Sequence, residues 1–213
     1  MTLAIYCAGG LGKELIDLAR SVSRWDDIFF VDDITEESEH AGAKVYRFDE
    51  ISHFNDVEFI IANGEPLVRE TLYKKIKAAG YSLATIYGSG CCVLPGAQIG
   101  EGCILTDCIV SADVVIKPNV LIQTKAAIGH DAVIGENSII SAFCFIGGFT
   151  QIGKNVYMGP GALAKDRIRV GESAIISLGA VLHRNVKNKA IMVGNPAKRM
   201  GENTKGSVFN LFS

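Results

Sequence analysis

From Val110 to Lys187 an aliphatic residue or Met returns at every sixth position: Val110, Ile116, Ile122, Ile128, Ile134, Ile140, Ile146, Ile152, Met158, Val170, Ile176 and Leu182, with only the smaller Ala164 interrupting the series. Four positions after each stands a small or β-branched residue, as in Val114, Ala126, Ser138, Cys144, Thr150 and Ala180. An α-helix repeats every 3.6 residues and a strand every two, so a sustained period of six means a chain that turns a corner at regular intervals and buries one large side chain per side. Gly often follows the large residue, as at Gly129, Gly135, Gly147, Gly153, Gly159 and Gly171, where a tight corner favours a residue without a Cβ. The pattern predicts a β-helix of hexapeptide repeats, and in the known β-helices of this pattern three hexapeptides make one triangular coil. It reaches back through Val93 and Ile99, and its phase slips by one residue between Leu105 and Val110, where Leu105 to Ile109 forms a five-residue side. Val93 to Lys187 then supplies about five coils, above the three or so repeats needed to close a stack.

The first 87 residues carry no period of six, so the chain divides into an α/β domain over 1–87, a repeat domain over 88–200 and a tail over 201–213. Leu3 to Ala8 is a short apolar run, followed by Gly9, Gly10, Leu11 and Gly12 and then by helical spacing from Lys13 to Val22. Strand, glycine turn and helix in this order aim free backbone N–H groups and the positive helix end at an anion, commonly a phosphate. A second apolar run, Ile28 to Val31, ends in Asp32 and Asp33, about twenty residues beyond the turn, where a dinucleotide fold places its ribose-binding acid. A third, Val57 to Ala62, ends in Asn63 and Gly64, and Pro66 opens a helix to about Ala79. The strict G-x-G-x-x-G is absent, and a glycine turn can equally serve close packing of helix on strand. About 85 residues is half of a full dinucleotide fold, which favours a mononucleotide or nucleotide-sugar over NAD.

Composition narrows the partners. With 48% apolar and 21% charged residues the chain is an ordinary globular protein, and a net charge of −2 with scattered Lys and Arg argues against a nucleic-acid partner. The cysteines at 7, 91, 92, 103, 108 and 144 form no C-x-x-C pair and have no His at ligand spacing, so buried thiols are expected and neither metal nor disulfide chemistry. No apolar run approaches 18 residues, and Met1 to Ala8 runs straight into a strand without a leader, so a cytoplasmic protein without membrane insertion is expected.

Of four histidines, His130 has the suggestive setting. In Ile128-Gly129-His130-Asp131 it takes the third position of a hexapeptide, neither of the two inward sites, and so points outward or sits at a corner. Such a residue is either solvated surface or a general base, since a neutral imidazole accepts a proton near neutral pH and a carboxylate at Asp131 can fix its tautomer.

The glycine turn after Ala8, the strand ending in Asp32 and Asp33, the hexapeptides, the Ile128 to Asp131 segment and the ending Val193-Gly194-Asn195-Pro196-Ala197-Lys198-Arg199-Met200 together resemble the bacterial sugar acyltransferases typified by bacillosamine-pathway nucleotide-sugar N-acetyltransferases and sialic acid O-acetyltransferases. The resemblance implies a left-handed β-helix, a homotrimer with acetyl-CoA in grooves between neighbouring β-helices, and a nucleotide-sugar held by the N-terminal domain. It implies His130 as the base, Asp131 as its orienter and Gln123 as a nearby amide. Gly9, Gly10, Leu11, Gly12, Asp32, Asp33, Asn63 and Gly64 would serve the nucleotide-sugar; Gly148, Gly179, Lys165, Arg167 and Lys198 would serve the CoA arm and its phosphates. Relatives often carry a second histidine nine residues after the base, where this chain has Ile139, and a polar residue where it has Leu11. The implied activity is acetyl-CoA-dependent N-acetylation of a UDP- or dTDP-linked amino-deoxy sugar in surface-glycan synthesis. O-acetylation of sialic acid is the alternative, and a non-catalytic nucleotide-sugar-binding protein the second.

Overall fold

The computed structural model describes residues 1–209. The N-terminal unit is a sheet of β1 (Thr2–Tyr6), β2 (Asp27–Val31), β3 (Glu39–His40), β4 (Ala43–Tyr46), β5 (Val57–Ile61) and β6 (Ser82–Leu83), in the order β3-β4-β2-β1-β5-β6. All neighbours are parallel except the β3–β4 pair. Helices α1 (Gly10–Val22) and α2 (Pro66–Ala78) provide the crossovers. The sheet is apolar on both faces because both are covered. Leu3, Ile5, Phe30 and Ile60 pack with Leu15 and Ile16 of α1, while Tyr6, Phe29, Phe59 and Ile61 pack with Ile76 of α2.

The repeat region is a three-sided β-helix with two-residue strands on each side. Register along each side follows the period: Leu121 pairs with Ile139, Ile139 with Tyr157 and Tyr157 with Ile175, eighteen residues per coil. Where the phase slips, the step shortens to seventeen, as in Ile104 with Leu121, Cys92 with Ile109 and Gln98 with Val115. The second residue of each strand points inward, and Leu105, Val110, Ile116, Ile122, Ile128, Ile134, Ile140 and Ile146 are all buried in one column-like core. Ile86–Tyr87 already pairs with Ile104–Leu105, so the first coil begins two residues ahead of the expected boundary at 88. At the other end Ala190–Val193 and Lys198–Glu202 form an antiparallel hairpin that runs past residue 200 into the expected tail.

The corners work differently from the sequence reading. Residues with left-handed φ recur every six positions, but they are Asp113, Asn119, Lys125, Asp131, Asn137, Phe143, Phe149, Asn155 and Arg167 rather than the glycines after the large residues. Those glycines are needed for close approach of the next coil: a Cβ on Gly129 would lie 2.6 Å from the Gly148 nitrogen.

The three outer faces differ in cover. On one, Ile86, Ile104, Leu121 and Ile139 point outward yet are buried, because they share one apolar cluster with Leu15, Ile16 and Ala19 of α1 and with Ile60, Ala62 and Ala84 of the N-terminal unit. Each such side chain contributes roughly 1.5–3 kcal/mol of burial, enough in sum to hold the two units together. Ile139, at the position of the second family histidine, is therefore an interface residue. A second face is mixed, with Gln98, Val115, Val133, Gln151 and Arg169 in register. The third carries Cys92, Ile109, Ala127, Phe145, Leu163 and Val181 in register and is covered by no element among the described residues, leaving Ile109 at 52% and Phe145 at 49% exposure.

A polar link also joins the units. Arg69 of α2 is fully buried and donates from Nε and Nη2 to the backbone oxygen and Oδ1 of Asn119, and from Nη1 to the carbonyls of Ile61 and Asn63. Asn119, Asn137 and Asn155 occupy the same corner in successive coils and bond in a chain, each Nδ2 to the next Oδ1, ending on the Glu70 carboxylate.

Candidate active site

His130 stands at the corner between strands Ala127–Ile128 and Val133–Ile134. Asp131 takes the left-handed conformation there, φ 56°, and this sharp turn lets adjacent side chains meet: His130 Nδ1 lies 2.7 Å from Asp131 Oδ2. A carboxylate only accepts, so Nδ1 carries the proton in the neutral ring and Nε2 keeps its lone pair. The side chain is 59% exposed. One coil on, at the place of His130, is Gly148, and a Cβ there would lie 2.9 Å from Nε2. Phe149, one coil on from Asp131, packs edge-on against the imidazole at 5.0 Å and is itself covered by the Arg167 guanidinium at 4.2 Å. Backbone bonds from Phe149 N–H to the His130 carbonyl and from Arg167 N–H to the Gly148 carbonyl fix the stack.

Gly148 and Arg167 thus gather at the His130 corner, with the exposed Lys165 two residues before Arg167 in the chain. Gly179, with φ 65°, lies at a different corner, where its N–H bonds to Pro160. Lys198 lies in the C-terminal hairpin opposite Val193. Gln123 opens the corner before strand Ala127–Ile128, so it and His130 flank the exposed apolar face from opposite edges.

In the N-terminal unit Gly9, Gly10, Leu11, Asp32, Asp33, Asn63 and Gly64 line one cavity of about 720 Å³ together with Tyr6, Cys7 and Thr35. Helix α1 starts at Gly10, three residues before the expected Lys13, so the glycine segment is its first turn. Gly9 and Gly10 border open space, whereas a Cβ on Gly12 would strike the Cys7 carbonyl at 2.7 Å. Gly12 is a packing glycine and does not line the cavity; Gly9 and Gly10 leave a helix N-terminus free to meet an anion.

Both acids at the end of β2 are engaged. Asp32 accepts from the N–H groups of Ala8, Ile34 and Thr35; burial pushes its carboxyl up, but these three bonds outweigh that and hold it below the ordinary range. Asp33 accepts from Lys75, from the Tyr6 hydroxyl and from Phe48 N–H, with the same net direction against burial. Asn63 Oδ1 accepts from Glu65 N–H, and Arg69 holds the Asn63 carbonyl from below. Periodicity did not single out Arg69, nor His40, whose Nε2 lies 3.2 Å from the Gly9 carbonyl.

A second groove, about 620 Å³, runs between α1 and the first corners of the β-helix, lined by Leu11, Glu14, Leu18, Gly88–Gly90, Thr106 and Thr124. Leu11 borders both it and the cavity above. Among the described residues no group of three or more His, Cys, Asp and Glu side chains is arranged to hold a metal, and no helix is long and apolar enough to cross a membrane.

Residues 2–76 match the family described as the PglD N-terminal domain, and residues 113–148 match the bacterial transferase hexapeptide (six repeats). The acetyltransferase domain of PglB from Neisseria gonorrhoeae FA1090 is similar along nearly its whole length, 27% identical over 93% of this chain and 99% of that one, with a TM-score of 0.89. The chain thus joins a PglD-type N-terminal domain to a hexapeptide-transferase segment and is similar over nearly its whole length to a bacterial sugar acetyltransferase. The same PglB domain in complex with acetyl coenzyme A superposes with a TM-score of 0.88 at 27% identity, over 93% of this chain and 98% of that one. PerB from Caulobacter crescentus, in complex with CoA and GDP-perosamine, shares the fold at 23% identity over 94% of this chain and 98% of that one, TM-score 0.88. The β-helix is left-handed, against the right-handed rule for parallel crossovers.

Proposed function

We propose that this sugar acetyltransferase transfers the acetyl group of acetyl-CoA to the amine of a nucleotide-linked amino-deoxy sugar, a UDP- or dTDP-sugar, in the cytoplasm during surface-glycan synthesis. The observation that carries the reading is the His130 imidazole, bound at Nδ1 by Asp131 and bare at Nε2 over Gly148. The sugar nitrogen attacks the thioester carbonyl as Nε2 takes its proton. The resulting tetrahedral oxyanion, held by a backbone N–H, collapses with release of the CoA thiolate, which receives the proton from the imidazolium. Asp131 keeps the ring in the competent tautomer and stabilises its charged form.

Gly9 and Gly10 at the start of α1 receive the diphosphate, and the cavity between Asp32 and Asn63 receives the nucleoside. The sugar then passes Leu11 into the groove beside Glu14. Three copies close around the exposed face of Ile109, Phe145 and Leu163, with Phe143, 64% exposed, at its edge. In such a trimer the His130 corner of one copy meets the Gln123 and Thr124 corner of the next, where its groove opens. CoA lies along that seam, with Gly148, Arg167, Lys165, Gly179 and Lys198 as its contacts.

The test is thiol release from acetyl-CoA with UDP-, dTDP- and GDP-amino sugars and free sialic acid as acceptors, followed by mass spectrometry. An acetyl group on a nucleotide-sugar amine supports the reading; acetylation of sialic acid alone replaces it with O-transfer.

A further inference from the structure

The five-residue side between Leu105 and Val110 has a consequence at the inward small positions. With eighteen residues per coil, Cys91 would stack on Ile109; with the step of seventeen it stacks on Cys108. The two sulfurs lie 3.9 Å apart. Their accessibilities are unequal for a structural reason. Cys91 belongs to the first coil, which has no coil before it, and is half-buried; Cys108 in the second coil is 1% exposed. Cys91 also lies against the Leu105 carbonyl at 3.1 Å, and neither thiol contacts the His130 corner.

We propose that Cys91 and Cys108 form a dithiol redox site that closes into a disulfide across the first two coils when the protein meets a small-molecule disulfide such as oxidised glutathione. The Cys91 thiolate attacks one sulfur of the oxidant, whose S–S bond breaks and releases one glutathione thiolate with the bonding pair. The Cys108 sulfur then attacks Cys91 in the mixed disulfide and expels the second glutathione, and the protons of the two cysteines pass to the two released thiolates. The protein loses two electrons and the oxidant gains two. The contact fits this division of labour: the hydrogen bond shared with Cys108 lowers the Cys91 thiol against the opposing effect of burial, and the same contact, together with burial, pushes the Cys108 thiol up. Bond formation draws the sulfurs from 3.9 Å to about 2.05 Å, a short closure between neighbouring parallel strands. Cys91 follows Gly88–Gly90 and Cys108 follows Thr106 and Asp107, so the closure acts on the wall of the groove beneath α1.

The test equilibrates the full-length protein with glutathione buffers of increasing oxidised fraction, quenches in acid, unfolds, alkylates, and counts free thiols by intact mass, with peptide mapping of any crosslink. Two of the six thiols are expected to disappear together, joined as Cys91–Cys108. Cys91→Ser and Cys108→Ser should each abolish the crosslink, and Cys92→Ser should leave it in place. Six free thiols at the most oxidising poise would overturn the proposal. So would a stable glutathione adduct on Cys91 without closure, or a crosslink through Cys92.

Discussion

His130 and Gly148 stand one coil apart, and the free Nε2 of the imidazole occupies the space that a side chain at 148 would need, 2.9 Å from its Cβ. On the proposed mechanism the glycine serves the catalytic geometry through its missing atom. Gly148→Ala is expected to push the ring from its place beside Asp131 and Phe149 and to lower turnover on the order of 10²-fold, as small misplacements of a reacting group do. Thermal stability should change little, because the ring is exposed and can move. Steady-state kinetics beside a melting curve checks this, and unchanged turnover would detach Gly148 from the site.

Removing the base should be more severe. For His130→Ala a fall of roughly 10²–10⁴ in turnover is expected, with acetyl-CoA affinity retained. Asp131→Ala should fall between this variant and the parent, because Nδ1 loses its acceptor and the proton can move to Nε2. Isothermal titration with acetyl-CoA separates lost chemistry from lost binding; near-normal turnover of His130→Ala would remove the general-base assignment.

The large inward residues were legible because each recurs at a fixed interval and carries the same chemistry. The corner residues were only partly so: Asp113, Asn119, Asp131, Asn137 and Asn155 are types that favour a left-handed φ, but Lys125, Phe143, Phe149 and Arg167 take the same φ and carry no such mark. That φ is also what brings His130 and Asp131 together, a contact that spacing alone left open. The seven cavity residues at the tips of β1, β2 and β5 were legible from strand ends, whereas Gly12 belongs to packing instead. Arg69 gave no signal, since its partners Asn119, Ile61 and Asn63 lie on separate segments. Cys91 and Cys108 were hidden for the same reason, their alignment resting on the shortened coil.

Acid should weaken the N-terminal unit in a defined way. Asp33 is held below the ordinary carboxylate range despite burial, by Lys75, Tyr6 and Phe48, so the folded state binds fewer protons than the unfolded chain. Its contribution is fully present above about pH 4 and drains away as pH falls through the folded-state value. Lys75→Met should therefore be less stable than the parent at pH 7, and the gap should close toward pH 3. Urea unfolding at both values measures it; a gap independent of pH would contradict the pairing.

The Arg69 network predicts a larger loss. Asn119→Ala strips the buried guanidinium of its Oδ1 acceptor and cuts the chain to Asn137, leaving the Arg69 Nη2 donor and the Asn137 Oδ1 acceptor unpaired at roughly 1–3 kcal/mol each. The melting temperature should drop by several degrees. Because Arg69 also holds the Asn63 carbonyl, KM for the nucleotide-sugar should rise while KM for acetyl-CoA stays put. Equal change in both would refute a link between Arg69 and the nucleotide cavity.

The most direct test of the central claim is acceptor identification with the purified enzyme. Given acetyl-CoA and a panel of nucleotide-linked amino sugars, it should release CoA and yield one nucleotide-sugar bearing a single new acetyl group on nitrogen, and His130→Ala should lose that product. Acetyl appearing only on a hydroxyl, or no CoA release with any nucleotide-linked amine, would contradict the account.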